Sequence, residues 1–75
     1  MWIIKSEGYV YEIDTVKRFV RFKKGSRGKW IPWMAYDTHF IVSNKRIELE
    51  LQIGIVLIIY LPSVRYNHIK VTNDS

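Results

Sequence analysis

A chain of 75 residues with twelve Lys and Arg against seven Asp and Glu, a formal net charge of +5, holds enough material for one hydrophobic core and excludes a second. The absence of cysteine excludes disulfides and thiolate metal sites and fits a reducing compartment, so a cytoplasmic protein is expected. An apolar fraction of 48% excludes a disordered chain, and the longest nearly uninterrupted apolar run, residues 49–61, is shorter than the roughly 20 residues of a membrane-spanning helix.

Residues 1–14 predict a β-hairpin. Residues 2–5 are β-forming, and Ser6, Glu7 and Gly8 are typical of a turn. In residues 9–14, Tyr and Ile alternate with Val, Glu and Asp, which is the two-residue period of a strand. The first two strands are therefore assigned to residues 2–5 and 9–14.

Residues 15–24 are compatible with two structures. Val16, Phe19 and Phe22 are three apart and would line one face of a helix capped by Asp14. The run Phe-Val-Arg-Phe is strongly β-forming, however, and residues 15–17 would close a tight hairpin on the second strand. A third strand is favoured, with a one-turn helix as the alternative.

Glycine and proline interrupt the middle of the chain. Residues 24–29 indicate a turn, and Gly25 and Gly28 also suit a loop whose backbone amides cradle a phosphate, although an ordinary glycine turn is favoured. Pro32 restricts residues 30–34 to an edge strand or an extended loop.

Three aromatic residues, Trp30, Trp33 and Tyr36, follow this turn at a spacing of three. They form either an aromatic platform beside the basic loop or a lid over the apolar segment nearer the C-terminus. A chain this short needs aromatic side chains in its core, so we expect at least one tryptophan to pack, with Trp33 and Tyr36 partly exposed.

The C-terminal half has the clearest strand pattern. Residues 38–43 are β-forming, residues 47–53 alternate apolar with polar, and Asn44-Lys45 supplies a short polar link, so a hairpin is predicted. The run 55–61 has no polar face, and we expect both of its faces to be covered. One straight strand over 47–61 would be about 50 Å long, so the chain bends or breaks at Gly54, at a bulge or a corner. Pro62 ends this strand, a loop follows, and residues 69–72 form a last short strand.

Together these elements predict an all-β fold. Five to seven short antiparallel strands without a long helix indicate a small single-domain barrel or sandwich of the SH3-like or OB-like size class. The domain is expected to span residues 1–71, with 72–75 as a loose C-terminal tail.

Positive charge is concentrated in one segment. Residues 17–29 hold seven cations and no acidic residue, whereas the rest of the chain has five basic and seven acidic side chains, a balance of −2. In a strand, Phe19, Arg21 and Lys23 would share one face, opposite Val20 and Phe22.

An aromatic ring among cations suits nucleic acid, because cations neutralise phosphates while a ring stacks on a base. The leading hypothesis is therefore a non-enzymatic domain that binds nucleic acid with little sequence specificity. The alternative is that Phe19 lies in the core and the charges only keep the domain soluble. The candidate contact residues are Lys17, Arg18, Phe19, Arg21, Lys23, Lys24, Arg27, Lys29, Trp30 and Trp33.

The second hypothesis is a protein-binding module or inhibitor that self-associates through residues 55–61, since one small sheet has little left to cover the second face of this run. Richness in Ile, Lys, Tyr and Asn in so short a chain fits an accessory protein of an AT-rich viral or mobile-element genome, acting in the host cytoplasm. The candidate interface residues are Val56, Ile58, Tyr60 and Tyr36.

No catalytic, cofactor or metal site is expected. Asp37, His39 and Ser43 are triad residue types, but no nucleophile elbow surrounds the serine. His39 and His68 lack the spacing of a metal site. Glu48 and Glu50 indicate the solvated face of a half-buried strand, and they are expected to pair across it with Lys45, Arg46 or Lys70. An enzyme, a small-molecule substrate and membrane association are therefore not expected.

Overall fold

The computed structural model describes residues 1–61, and these form six antiparallel strands in one sheet. Each strand pairs with the next in chain order. The all-β, antiparallel prediction is confirmed, whereas the predicted strand 69–72 and the tail 72–75 lie outside the described residues. The strands are β1 (Trp2–Ser6), β2 (Tyr9–Asp14), β3 (Phe19–Lys24), β4 (Met34–Val42), β5 (Arg46–Leu51) and β6 (Val56–Tyr60).

A turn joins β1 to β2 as the sequence predicts, but it has two residues rather than three, because Ser6 belongs to β1. Ser6 pairs with Tyr9, and Glu7 and Gly8 between them have φ values of 51° and 84°. Two consecutive positive φ values are characteristic of a type I′ turn, whose twist matches that of the two antiparallel strands.

The β2–β3 connection settles the ambiguous segment in favour of a strand. The Asp14 carboxylate accepts hydrogen bonds from the backbone N–H groups of Val16 and Lys17, both at 3.0 Å. These bonds close the loop locally, and the chain then pairs along β2 from Phe19 onward. A one-turn helix is not present in residues 15–24.

The β4–β5 hairpin is also confirmed, with a turn of three residues, 43–45, that begins one residue earlier than predicted. Ser43 and Asn44 have φ values of 50° and 57°, and the Lys45 N–H donates to the Val42 carbonyl at 2.9 Å. At the other end of β4 the register shifts between Tyr36 and Thr38, so that the intervening residue forms a bulge.

At Gly54 the long apolar segment breaks by reversing direction, rather than by turning a corner. Gly54 has a φ of 96°, and its N–H donates to the Leu51 carbonyl at 3.0 Å. The segment is thus two paired strands, in which Glu50 lies opposite Val56. A reversal here keeps both strands within the width of a small domain.

One face of the curved sheet forms the core. No ladder joins β1 to β6 among residues 1–61, so the described sheet is open, but the Ser6 hydroxyl donates to the Tyr60 carbonyl and brings its two ends together. These residues also contain no helix of the length and apolarity needed to cross a bilayer. The core residues come from all six strands: Ile4, Ile13, Val20, Tyr36, Ile47, Leu49, Leu51 and Ile59.

The expectation that Tyr36 is partly exposed is wrong, because only 1% of this residue is accessible. The bulge after Tyr36 keeps its side chain on the inner face, where it pairs with Leu51. Its hydroxyl lies 3.5 Å from the Asp14 carbonyl, to which it donates. Burial raises the pKa of the Tyr36 hydroxyl above its usual value.

Candidate nucleic-acid interface

The outer face of β3 carries the alternating aromatic and cationic residues that the sequence predicts. Phe19, Arg21 and Lys23 pair with Asp14, Glu12 and Val10 of β2, and their side chains project from the face opposite the core. Val20, between them, is fully buried on the inner face. Strand alternation therefore separates core from surface along β3.

Residues 25–33 fold back over this outer face as an extended loop. Gly25 N–H donates to the Gly8 carbonyl at 2.7 Å, and Ile31 N–H donates to the Phe22 carbonyl at 3.0 Å. The return path places Trp30 and Trp33 above β3. Both rings therefore lie against basic side chains of β3, the arrangement that the platform interpretation expects.

Arg21 is the centre of this arrangement. Its guanidinium carbon lies 4.3 Å from the ring centroid of Trp30 and 4.5 Å from that of Trp33. Its Nε and Nη2 atoms each lie 2.7 Å from Glu12 Oε1. Cation–π contact and the ion pair together orient both rings, and they also neutralise the arginine. Arg21 is therefore poorly placed to contact a phosphate.

Lys23 is likewise engaged within the domain. Its Nζ atom lies 4.7 Å from the Trp30 ring centroid and donates to the Ser26 carbonyl at 3.2 Å. These neutral partners leave the ammonium charge uncancelled but restrict where it points. Lys23 thus ties the 25–29 loop to β3.

The exposed cations lie at the two ends of the arrangement. No carboxylate within residues 1–61 forms an ion pair with them, since the ion pairs found there belong to Arg21 and Arg46. Arg18 Nη1 donates to the Asp37 carbonyl at 3.1 Å, which leaves its charge unneutralised. Within residues 17–29, the five exposed cations are Lys17, Arg18, Lys24, Arg27 and Lys29.

A shallow groove beside Lys17 holds two exposed aromatic residues of this surface. Phe19 and Trp33 line it together with Met1 and Asp14, and 38% of Phe19 and 40% of Trp33 are accessible. The backbone N–H groups of Lys17 and Val16 donate to the Asp14 carboxylate and lower its pKa, and this effect outweighs the desolvation that would raise it. Asp14 therefore keeps its negative charge at the rim of the groove. A base would be better tolerated here than a phosphate.

We name this surface the basic ridge. It runs along the outer side of β3 for about 20 Å, the length of six strand residues. Its two ends are cationic and its middle is aromatic. Its residues are Lys17, Arg18, Phe19, Arg21, Lys23, Arg27, Lys29, Trp30 and Trp33, together with Lys24 at the very end of β3, where strand alternation directs the exposed side chain to the side of Phe22.

A second exposed surface lies on β6, away from the ridge. Val56, Ile58 and Tyr60 project from the outer face and are 52%, 41% and 53% accessible. Residues 1–61 therefore leave the second face of this run uncovered. On the neighbouring strand, Glu48 forms an ion pair at 2.7 Å with Arg46, one of the predicted partners, but along β5 rather than across it.

The triad-type residues do not assemble. Asp37 is exposed at the β4 bulge and Ser43 lies in a turn. The His39 ring packs edge-on against those of Trp2 and Tyr36, with centroids 5.3 and 5.8 Å away. In the described part of the chain no group of three His, Asp or Glu side chains is placed to hold a metal ion, and His68 lies outside that part.

Comparison with known proteins finds no matching family model, no similar curated protein and no similar solved structure.

Proposed function

We propose that the protein is a non-enzymatic domain that binds nucleic acid through the basic ridge, mainly by phosphate contacts and with little sequence specificity. The observation that carries this proposal is the placement of five exposed cations at both ends of a surface whose middle exposes Phe19 and Trp33. Cations neutralise phosphates and release counterions, while each stacked base contributes about 1–3 kcal/mol.

The contacts that each cation makes within the domain decide which cations are free to contact nucleic acid. Arg21 and Lys23 organise the ridge, because their charges are held by Glu12, the Trp30 ring and the Ser26 carbonyl. Phosphate contacts are therefore assigned to the five exposed cations. Residues 1–61 contain no helix to enter a major groove, which supports slight sequence selectivity.

Charge reversal at matched positions tests this function. Arg27→Glu on the ridge and Lys45→Glu in the β4–β5 turn change the net charge equally, and both side chains are exposed. We expect Arg27→Glu to weaken binding of a single-stranded oligonucleotide about tenfold or more and to flatten the dependence of log Kd on log salt concentration. Lys45→Glu should stay close to the unmodified protein.

Fluorescence anisotropy at several salt concentrations measures both the affinity and its dependence on salt. An affinity that does not change with salt, or equal losses in the two variants, would contradict binding through the ridge.

We also propose that the domain has a partly open small-barrel form of the SH3-like or OB-like size class, in which, within residues 1–61, β1 and β6 meet only at the Ser6–Tyr60 end. The Ser6–Tyr60 hydrogen bond, which joins the two ends of the sheet, supports this form. So does the edge-on contact between the Trp2 and His39 rings, which links β1 to β4. In OB-folds the outer strand surface and its loops bind oligonucleotides, the same type of surface as the basic ridge.

A second candidate function, a protein-binding module or inhibitor, is favoured by the exposed row Val56, Ile58 and Tyr60. Under this candidate the viral or mobile-element origin and a host cytoplasmic target remain proposals. A pull-down from lysate with and without nuclease separates the two functions. Partners lost on nuclease treatment support the ridge, whereas partners retained after nuclease and lost in Ile58→Lys support the β6 surface.

A further inference from the structure

The outer edge of β6 presents backbone groups that β5 does not use. Leu61 N–H donates to the Lys45 carbonyl at 2.8 Å, and Leu51 N–H donates to the Ile55 carbonyl at 2.9 Å. The odd-numbered residues therefore bond to β5. Because successive residues direct their N–H and C=O groups to opposite sides of a strand, Val56, Ile58 and Tyr60 direct theirs outward.

One of these outward groups has a partner in residues 1–61: the Tyr60 carbonyl accepts a hydrogen bond from the Ser6 hydroxyl. The N–H and C=O groups of Val56 and Ile58 remain for a strand from outside this part of the chain. The same two residues expose apolar side chains on the outer face. One added strand would therefore pair these backbone groups and contact the two apolar side chains from the side.

The charge pattern indicates which strand fits. β6 is the only one of the six strands without a charged side chain, whereas β1, at the other end of the sheet, carries Lys5. Edge strands usually carry charge or proline, which prevents pairing with another copy. An uncharged apolar edge is best complemented by another uncharged apolar strand, and each copy of this protein supplies one.

We propose that the protein forms a two-fold symmetric homodimer in which β6 pairs antiparallel with β6 of a second copy. A register centred on Leu57 places Val56 opposite the partner's Ile58, and the symmetric pair repeats this contact. In this register the Tyr60 carbonyl can still accept its hydrogen bond from the Ser6 hydroxyl. It places β-branched side chains, which fit the pleated surface of a sheet, opposite each other across the interface.

Salt dependence separates this interface from nucleic-acid binding. Each copy carries a net charge of +5, so two copies repel, and salt screens that repulsion. Dimerisation is therefore expected to hold or strengthen as salt rises, the opposite of the trend at the basic ridge. The proposal does not rest on the proposed function.

Analytical ultracentrifugation of the full chain tests the dimer from roughly 1 µM to about 1 mM, a range that spans weak association. The expected result is a mass that rises from monomer to dimer with concentration. Ile58→Lys and Ile58→Pro should each raise the dimer dissociation constant at least about tenfold. Proline at position 58 removes an outward N–H and leaves the β5 ladder intact, as edge strands tolerate.

Phe40→Lys is the matched control. Phe40 lies on the same outer face, is 52% accessible, and belongs to β4 rather than to the edge. Its replacement should leave the dimer intact. A monomer at every concentration, whether or not it binds nucleic acid, overturns the proposal, and so does equal dissociation by Phe40→Lys. Circular dichroism checks that the variants fold. If Ile58→Pro does not fold, Ile58→Lys alone serves as the test.

Discussion

Arg21 shows how the partners of one side chain decide its role. As a cation among aromatic residues it was predicted to contact phosphate, yet it is enclosed by two tryptophan rings and a carboxylate. A guanidinium is weakly hydrated and planar, so it stacks on rings and binds Glu12 at the same time. The charge available to a ligand therefore lies on neighbours that have no such partners.

Asp14 gives a prediction about pH. Hydrogen bonds from the Lys17 and Val16 amides lower the pKa of its carboxyl in the folded protein. Its contribution to stability is therefore present above the unfolded-state pKa, about 3.9, and is lost as pH falls through the lower folded-state pKa. We expect the melting temperature of the unmodified protein to fall below about pH 4 partly because Asp14 is protonated.

Asp14→Asn is the control, because its amide oxygen can still accept both hydrogen bonds without titrating. This variant should show a shallower decrease of melting temperature between about pH 4 and pH 2. Thermal unfolding followed by circular dichroism measures both curves, and parallel curves would show that Asp14 does not contribute.

The 25–33 loop depends on the close approach of its own backbone. A Cβ atom at Gly28 would overlap the Lys24 carbonyl oxygen, whereas a Cβ at Gly25 would meet open space. Gly25 instead has a φ of 64°, a conformation that costs other residues about 1–2 kcal/mol. Tight closure at Gly28 helps direct the chain back across β3, where Trp30 contacts Arg21.

Gly28→Ala is therefore expected to destabilise the domain more than Gly25→Ala, by about 3 kcal/mol against about 1 kcal/mol. It should also shift the tryptophan fluorescence, since the altered loop moves Trp30 away from the Arg21 guanidinium. Urea unfolding and emission spectra measure the two effects. Equal losses of stability would mean that the loop relaxes around the added methyl group.

The molecule has one small core, built where all six strands contribute to the inner face. Leu49 is fully buried there, opposite Leu57 of β6 and His39 of β4. A chain of this length has a total stability of about 4–11 kcal/mol. Any cavity in this core therefore removes a large fraction of the stability.

Leu49→Ala should cost about 2–5 kcal/mol, through lost apolar burial and the cavity that remains. Ile53→Ala, in the β5–β6 turn where 70% of the isoleucine is accessible, should change stability by less than about 0.5 kcal/mol. Urea unfolding of both variants provides the comparison. A small loss for Leu49→Ala would mean that the core collapses around the vacated volume.

Local patterns were sufficient to predict most of the strands. Alternation identified β2 and β5, glycines marked the turns at Gly8 and Gly54, and strand geometry placed Phe19 beside Arg21 on one face. These features depend on neighbours within a few residues, whose types are visible in the sequence. The concentration of positive charge in residues 17–29 is visible in the same way.

Long-range packing determined the rest. Strand register and the path of the loops decide three features: the contacts of Arg21 with Glu12 and two tryptophans, the burial of Tyr36 beside a bulge, and the exposure of β6. Short-range periodicity carries little information about these, because a shift of one residue moves a side chain to the opposite face. The sequence thus identifies a basic β domain, and the fold decides which of its cations and which apolar strand remain available to a partner.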